Sequence, residues 1–132
     1  MANPVISGDG VFSHVFLGAA DVQQSAAFYD AALGALGIKN LGPFGNGWVL
    51  YGRDKPAFLI GRPGSGETPA NNGLTVGFAA ASTAEVDAFH AAGLAAGGSD
   101  EGKPGGRGHL PGAYAAYLRD PAGNKVCCYT FT

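Results

Sequence analysis

Two stretches of this chain can be laid over one another. HVFLGAADVQQSAAFYDAALGALG (14–37) and TVGFAAASTAEVDAFHAAGLAAGG (75–98) are offset by 61 positions and share nine of 24 residues. The matches are Val15/Val76, Ala19/Ala80, Ala20/Ala81, Ala27/Ala88, Phe28/Phe89, Ala31/Ala92, Leu33/Leu94, Ala35/Ala96 and Gly37/Gly98. Alanine is common here, so the Phe28/Phe89 pair and the shared register of the helix starts carry most of the weight. Self-similarity at a fixed offset is the mark of a repeated supersecondary unit. Whatever the first stretch folds into, the second is expected to fold into as well.

Each copy opens with a strand, Val11–Gly18 in the first and Leu74–Ala80 in the second. Each then enters a helix through a capping signal: Asp21 with Gln24 reaching back, and Ser82 with Glu85 reaching back. Val22, Ala26, Tyr29, Leu33 and Leu36 make one apolar face of the first helix. Val86, Phe89 and Gly93 make the matching face of the second. Short strand-like pieces follow: Ile38–Phe44, Trp48–Tyr51 and Ala57–Ile60, then Ser99–Lys103, Ala113–Leu118 and Lys125–Phe131. The 23 glycines gather between apolar segments, at LGPFGNG, GRPGSGETPANNG and DEGKPGGRGHLPG, which read as turns and loops. DPAGN, between the last two strands, supplies a tight turn. The expected fold is α+β: two βαβββ units in one domain (1–132), unit one at 11–62, a linker at 63–73 and unit two at 74–132. The strands are expected to be mainly antiparallel, with the helices segregated to one face.

Only 14% of the 132 residues are charged while 46% are hydrophobic, which argues for a packed core and against disorder. The eight Lys and Arg are scattered and the net charge is −2, so no basic stripe is available for nucleic acid. No apolar run reaches the length of a membrane helix. MANPVISGDG has neither the charged nor the apolar region of a signal peptide, so a cytoplasmic location with reduced thiols is expected. Cys127 and Cys128 are adjacent, and in a strand they point to opposite faces, poorly placed to bond each other.

Three segments, HVFLGAADVQQSAAFYDAALGALG, GLTVGFAAASTAEVDAFHAAGLAAGG and YAAYLRDPAGNKV, resemble the vicinal oxygen chelate superfamily of glyoxalases, bleomycin-resistance proteins and extradiol dioxygenases. The resemblance runs from Val11 to Phe131. It implies that the two units form a cupped, mainly antiparallel pair of half-barrels with the helices on the outside, around a cavity closed within one chain or paired across a homodimer. In members that bind a metal, the ligands are a His on the first strand, a His on the fifth and a Glu on the last, in some members with a Glu on the fourth. Carried over, these positions hold His14, Thr75 and Cys127, and the fourth strand, AFLIG, has no acid. Thr is a poor ligand and Cys suits zinc better than magnesium or manganese. The expectation is therefore a cavity that binds a small organic molecule with no cofactor. If a divalent metal binds, zinc is favoured, on His14 and Cys127. The alternatives are a metal-dependent lyase or dioxygenase of the glyoxalase type using His14, and a fold serving only assembly.

The expected pocket residues are His14, Trp48, Thr75, Arg107, His109, Tyr114 and Cys127. Cys127 shares a strand face with Tyr129 and Phe131, as a ligand, a nucleophile or a small apolar filler. Arg107 and His109 sit in GGRGHLPG, where they could reach a polar or anionic ligand. Tyr114 and Tyr117 differ in strand parity, so only one can face the cavity; Tyr114 and Trp48 are chosen. Cys128 and His90 read as structural. GKPGGRG has no Lys-Ser/Thr opening a helix, as a phosphate loop requires, and no nucleophile elbow is present.

Overall fold

The structure, a computed structural model, describes residues 12–45, 47–63 and 74–131. Unit one consists of β1 (Val15–Gly18), α1 (Val22–Gly34), β2 (Lys39–Phe44), β3 (Trp48–Gly52) and β4 (Phe58–Gly61). Unit two repeats the order: β5 (Thr75–Ala79), α2 (Thr83–Ala95), β6 (Ser99–Gly106), β7 (Ala113–Arg119) and β8 (Lys125–Phe131). Val11 and most of the expected linker lie outside the described residues. Each unit builds a four-stranded open sheet, in the orders β1-β4-β3-β2 and β5-β8-β7-β6. The first strand of each unit runs parallel to the last and the other neighbours are antiparallel.

The two helix starts form as their residues dictate. Asp21 accepts from the Gln24 amide at 3.1 Å, and Ser82 accepts from the Glu85 amide at 3.2 Å. Glu85 reaches back one residue further than the capping pattern suggests, to the Ala81 amide at 2.9 Å. Phe28, Tyr29, Leu33 and Leu36 of the first unit and Val86 and Phe89 of the second are fully buried in one continuous core. The helices lie on one face of their sheets and pack against each other. Gly93 takes the place that Ala32 has in the other copy, and a methyl there would come within 2.4 Å of Leu118 and 3.1 Å of Phe28. The missing methyl makes room for the Phe28 ring at the helix crossing.

The DPAGN turn ties the two units together. Asp120 is buried, and its Oδ1 accepts from the Ala122 and Asn124 amides at 2.9 and 2.8 Å. Its Oδ2 accepts from Tyr29 Oη at 2.6 Å and from Asn124 Nδ2 at 2.9 Å. Asn124 Nδ2 also donates to the carbonyl of Gly18 at 2.8 Å. A turn of unit two thus holds the helix and first strand of unit one. Arg53 makes a second tie, donating to Leu36 O at 2.6 Å and to Ala79 O at 3.1 Å.

The outer strands differ from expectation. GKPGG is strand and not loop: β6 continues through Lys103 and Pro104 to Gly106, with register shifts after Asp100 and after Gly102, and the loop begins at Arg107. Proline is tolerated because β6 is an edge strand, where one side of the backbone needs no ladder partner. Asp100 stabilises the first shift, accepting from the Gly102 amide at 3.0 Å while bonding the buried His90 of α2 at 2.8 Å. That bond is the main reason the Asp100 carboxyl is held below its usual range.

Candidate functional site

A strand alternates its side chains between faces, so the core residues decide which face of each sheet is open. In unit two, Ala116, Leu118, Val126 and Cys128 belong to the core under α2. The intervening residues Tyr117, Lys125, Cys127, Tyr129 and Phe131 therefore point the other way. Tyr117 stands opposite Cys127, and Thr75 stands opposite Lys125. This face carries a depression of about 480 Å³ lined by Glu101, Gly102, Lys103, Arg107, His109, Tyr117 and Lys125.

Tyr117 is its centre. The Arg107 guanidinium lies 5.4 Å and the Lys125 ammonium 5.3 Å from the centroid of its ring. Both are within reach of the cation–π attraction, about 0.5–1 kcal/mol each at exposed sites. The Tyr117 hydroxyl bonds that of Tyr129, whose ring stacks on Phe131. Burial, then the bond to Tyr129, pushes the Tyr117 phenol well above its usual range, so it is neutral at physiological pH.

The glycines of β6 explain how Arg107 gets there. Its Nη1 donates to the carbonyls of Gly105 and Gly106 at 3.0 and 3.1 Å, and its Nη2 to that of Lys103 at 3.1 Å. A methyl on Gly102 would come within 3.2 Å of Arg107 Nη2 and 3.3 Å of the Tyr117 Cβ. Only a strand bare of side chains at this point lets the guanidinium fold back over the tyrosine.

Of the expected pocket residues, Arg107 and His109 line the depression, and Thr75 and Cys127 share its sheet face. Tyr114 does not: it has the parity of Ala116 and Leu118, and its hydroxyl donates to Asp87 of α2 at 2.7 Å. The choice between the two tyrosines falls to Tyr117. His14 and Trp48 belong to unit one. Trp48 lies across Gly61 with Phe16 and Phe44 around it, ring centroids 5.3 and 6.2 Å away. His14 is exposed, with Nδ1 bonded to the Ser13 hydroxyl at 2.9 Å. The sequence reading weighs Tyr117 against Tyr114 and prefers Tyr114, and Lys103, Lys125 and Glu101 are not among its pocket residues. The alternation Lys125-Cys127-Tyr129 was the available signal for Lys125.

The ligand positions implied by the resemblance hold His14, Thr75 and Cys127, a donor set that differs from the His, His and Glu of metal-binding members. Thr75 offers a neutral hydroxyl. Cys127 is 4% exposed, and burial raises its thiol to about 11, despite the opposing pull of the Tyr117 hydroxyl, Lys125 and Arg107. A metal would have to displace a proton that burial holds on the thiol, and its own charge would be repelled by Lys125 and Arg107. Among the described residues no three His, Cys, Asp or Glu side chains gather in a cluster. Cys128 is a core thiol raised further by burial, and both cysteines are free.

No described helix is long and apolar enough to cross a membrane. No curated protein matches the chain. A solved glyoxalase/bleomycin resistance protein from Albidiferax ferrireducens T118 is 45% identical, with a TM-score of 0.79 over 91% of this chain and 98% of that one. A putative glyoxalase from Bacillus halodurans, 23% identical over 92% and 96% of the two chains, has the same fold at a TM-score of 0.69. A glyoxalase/bleomycin resistance protein/dioxygenase family enzyme from Burkholderia phytofirmans PsJN does too, at 17% identity over 91% and 98%, with a TM-score of 0.70. The sequence profile of the Glyoxalase/Bleomycin resistance protein/Dioxygenase superfamily matches residues 11–128, and with the duplicated βαβββ architecture this shows that the chain belongs to that superfamily.

Proposed function

We propose that this protein binds a small organic molecule on the open face of the second sheet, over Tyr117, without the metal site used by metal-dependent relatives. The observation that carries the reading is the depression itself: an aromatic floor with two cations held against its ring. Ligand sites typically combine such apolar surface with a few placed polar groups. The donor chemistry of His14, Thr75 and Cys127 supports binding without metal. Fragment screening by NMR tests the first part: amide shifts should cluster at Gly102, Arg107, Tyr117 and Lys125 and be lost in Tyr117→Ala. Metal analysis after incubation with zinc, manganese, iron and nickel tests the second. One zinc per chain, lost in both His14→Ala and Cys127→Ala, would replace this reading with a metal-dependent lyase or dioxygenase.

The same reading includes pairing of two chains. Phe12, Phe44 and Trp48 are 75%, 57% and 37% exposed, apolar surface that a second copy would remove from water. Sedimentation equilibrium checks this, and a monomer at every concentration would remove the dimer from the proposal. A cytoplasmic location also belongs to it, and cell fractionation is its test.

A further inference from the structure

The depression over Tyr117 is electrostatically unlike the rest of the molecule. The chain as a whole has a net charge of −2. The depression gathers Lys103, Arg107 and Lys125 against one carboxylate, Glu101. That carboxylate is already engaged, 3.4 Å from Arg119. Among the described residues, no carboxylate forms a close ion pair with Lys103, Arg107 or Lys125, although Asp100 feels the charge of Lys103 from further off. Lys103 lies on β6, Arg107 just after it and Lys125 on β8, whereas the outer strands β2 and β3 of unit one present the exposed Phe44 and Trp48.

Arg107 is also preorganised. A guanidinium carries five N–H donors. Its bonds to the Gly105, Gly106 and Lys103 carbonyls use three of them and fix the plane of the group. Carbonyls orient the guanidinium without neutralising its charge, so two donors and the full charge remain for a ligand. Ordering an arginine at the moment of binding costs side-chain entropy, and here much of that cost is met in the free protein. Lys125 stands over the same ring, half-buried on the neighbouring strand. His109 lies on the rim of the same depression.

We infer that the ligand of this face is an organic anion: a carboxylate or a phosphoryl-type oxyanion held by Arg107 and Lys125, on a flat apolar body lying against the Tyr117 ring. Charge-assisted bonds from a fixed guanidinium favour an oxyanion over a neutral group of the same shape. The aromatic floor selects for the body, and the cations above it for the head. This rests on the binding reading above and adds the ligand's charge to it.

The test uses three probes of one size: benzoate, phenylphosphonate and the neutral benzyl alcohol, titrated into ¹⁵N-labelled protein. The expected result is that benzoate or phenylphosphonate shifts the amides of Gly102, Arg107, Tyr117 and Lys125 with at least about tenfold tighter binding than benzyl alcohol. That preference should weaken as ionic strength rises. Lys125→Gln, which removes no hydrogen bond from the fold, should cut it by about fivefold. Arg107→Gln should abolish it, with Lys125→Gln as the reserve should that variant fail to fold. Benzyl alcohol binding as tightly as the anions at these residues would overturn the inference and leave the binding reading standing. So would an anion preference that survives in Lys125→Gln and Arg107→Gln. Binding of none of the three at this face would overturn both.

Discussion

Replacing Tyr29 with phenylalanine removes one oxygen atom and isolates one of the bonds that join the two units. The ring contacts survive: Phe28 and Phe58 lie 4.9 Å and Tyr51 6.0 Å from Tyr29 by ring centroid, and none involves the hydroxyl. What is lost is the 2.6 Å bond from Tyr29 Oη to the buried Asp120. A hydrogen bond to a charged group is worth about 1.5–3 kcal/mol. Asp120 keeps Asn124 Nδ2 on the same oxygen and two backbone amides on the other, so no charge is stranded. The cost should therefore sit near the lower end, about 1.5–2 kcal/mol. For a domain of this size that is a fall in Tm of about 5–7 °C.

The pH dependence adds a second readout of the same variant. Burial, then Asp120, raises the Tyr29 phenol well above 10.0. A group whose folded pKa is raised contributes stability that is complete below its unfolded pKa. That contribution fades as pH rises towards the folded value, because the unfolded chain ionises first. Stability should thus decline above pH 10, by about 1.4 kcal/mol per pH unit for each such tyrosine. Tyr51, raised by burial and by Asp30, contributes in the same sense. Tyr29→Phe should remove one share of that slope and Tyr51→Phe another. Urea unfolding followed by circular dichroism, at neutral pH and through the alkaline range, measures both quantities. A loss under about 0.5 kcal/mol together with an unchanged alkaline slope would refute the assignment of Tyr29–Asp120 as a tie between the units.

Asp120→Ala should be far more damaging, by about 4 kcal/mol or more, since it strands the Tyr29 hydroxyl and two turn amides at once; chemical denaturation beside Tyr29→Phe gives the ranking. Gly98→Ala places a methyl 2.3 Å from Phe28 Cε1 and 2.9 Å from the Gly93 carbonyl. It should cost about 1–3 kcal/mol in the same assay despite being a small change on paper. Ser82→Ala removes the cap of α2 and should cost about 1 kcal/mol. Cys127 should resist alkylation in native protein at neutral pH, being 4% exposed with its thiol raised to about 11; mass spectrometry should find it labelled only after denaturant is added.

Much of this architecture is legible in the residues alone, because it is local or periodic. The capping side chains Asp21 and Ser82, the apolar faces through Tyr29 and Phe89, and the offset of 61 between the copies each depend on spacing along the chain. Asp120 shows the limit. Within DPAGN it reads as an ordinary turn residue, and it does hold that turn. Its other role, accepting from Tyr29 at a sequence separation of 91, has no trace in local pattern.

The binding face lies beyond the same limit. Strand alternation alone sends Tyr114 and Tyr117 to opposite sides of one strand. It could not say which side the helix would cover. The docking of α2 decided that, leaving Tyr117 open and sending Tyr114 to Asp87. The register shifts of β6 then decided that Arg107 would fold back over Tyr117, and the pairing of β7 with β8 brought Lys125 to the same ring. Charge converges there through strand pairing and bulges, which join residues far apart in sequence. Repeat, caps and core stripes are properties of the chain, whereas a pocket belongs to the packed sheet.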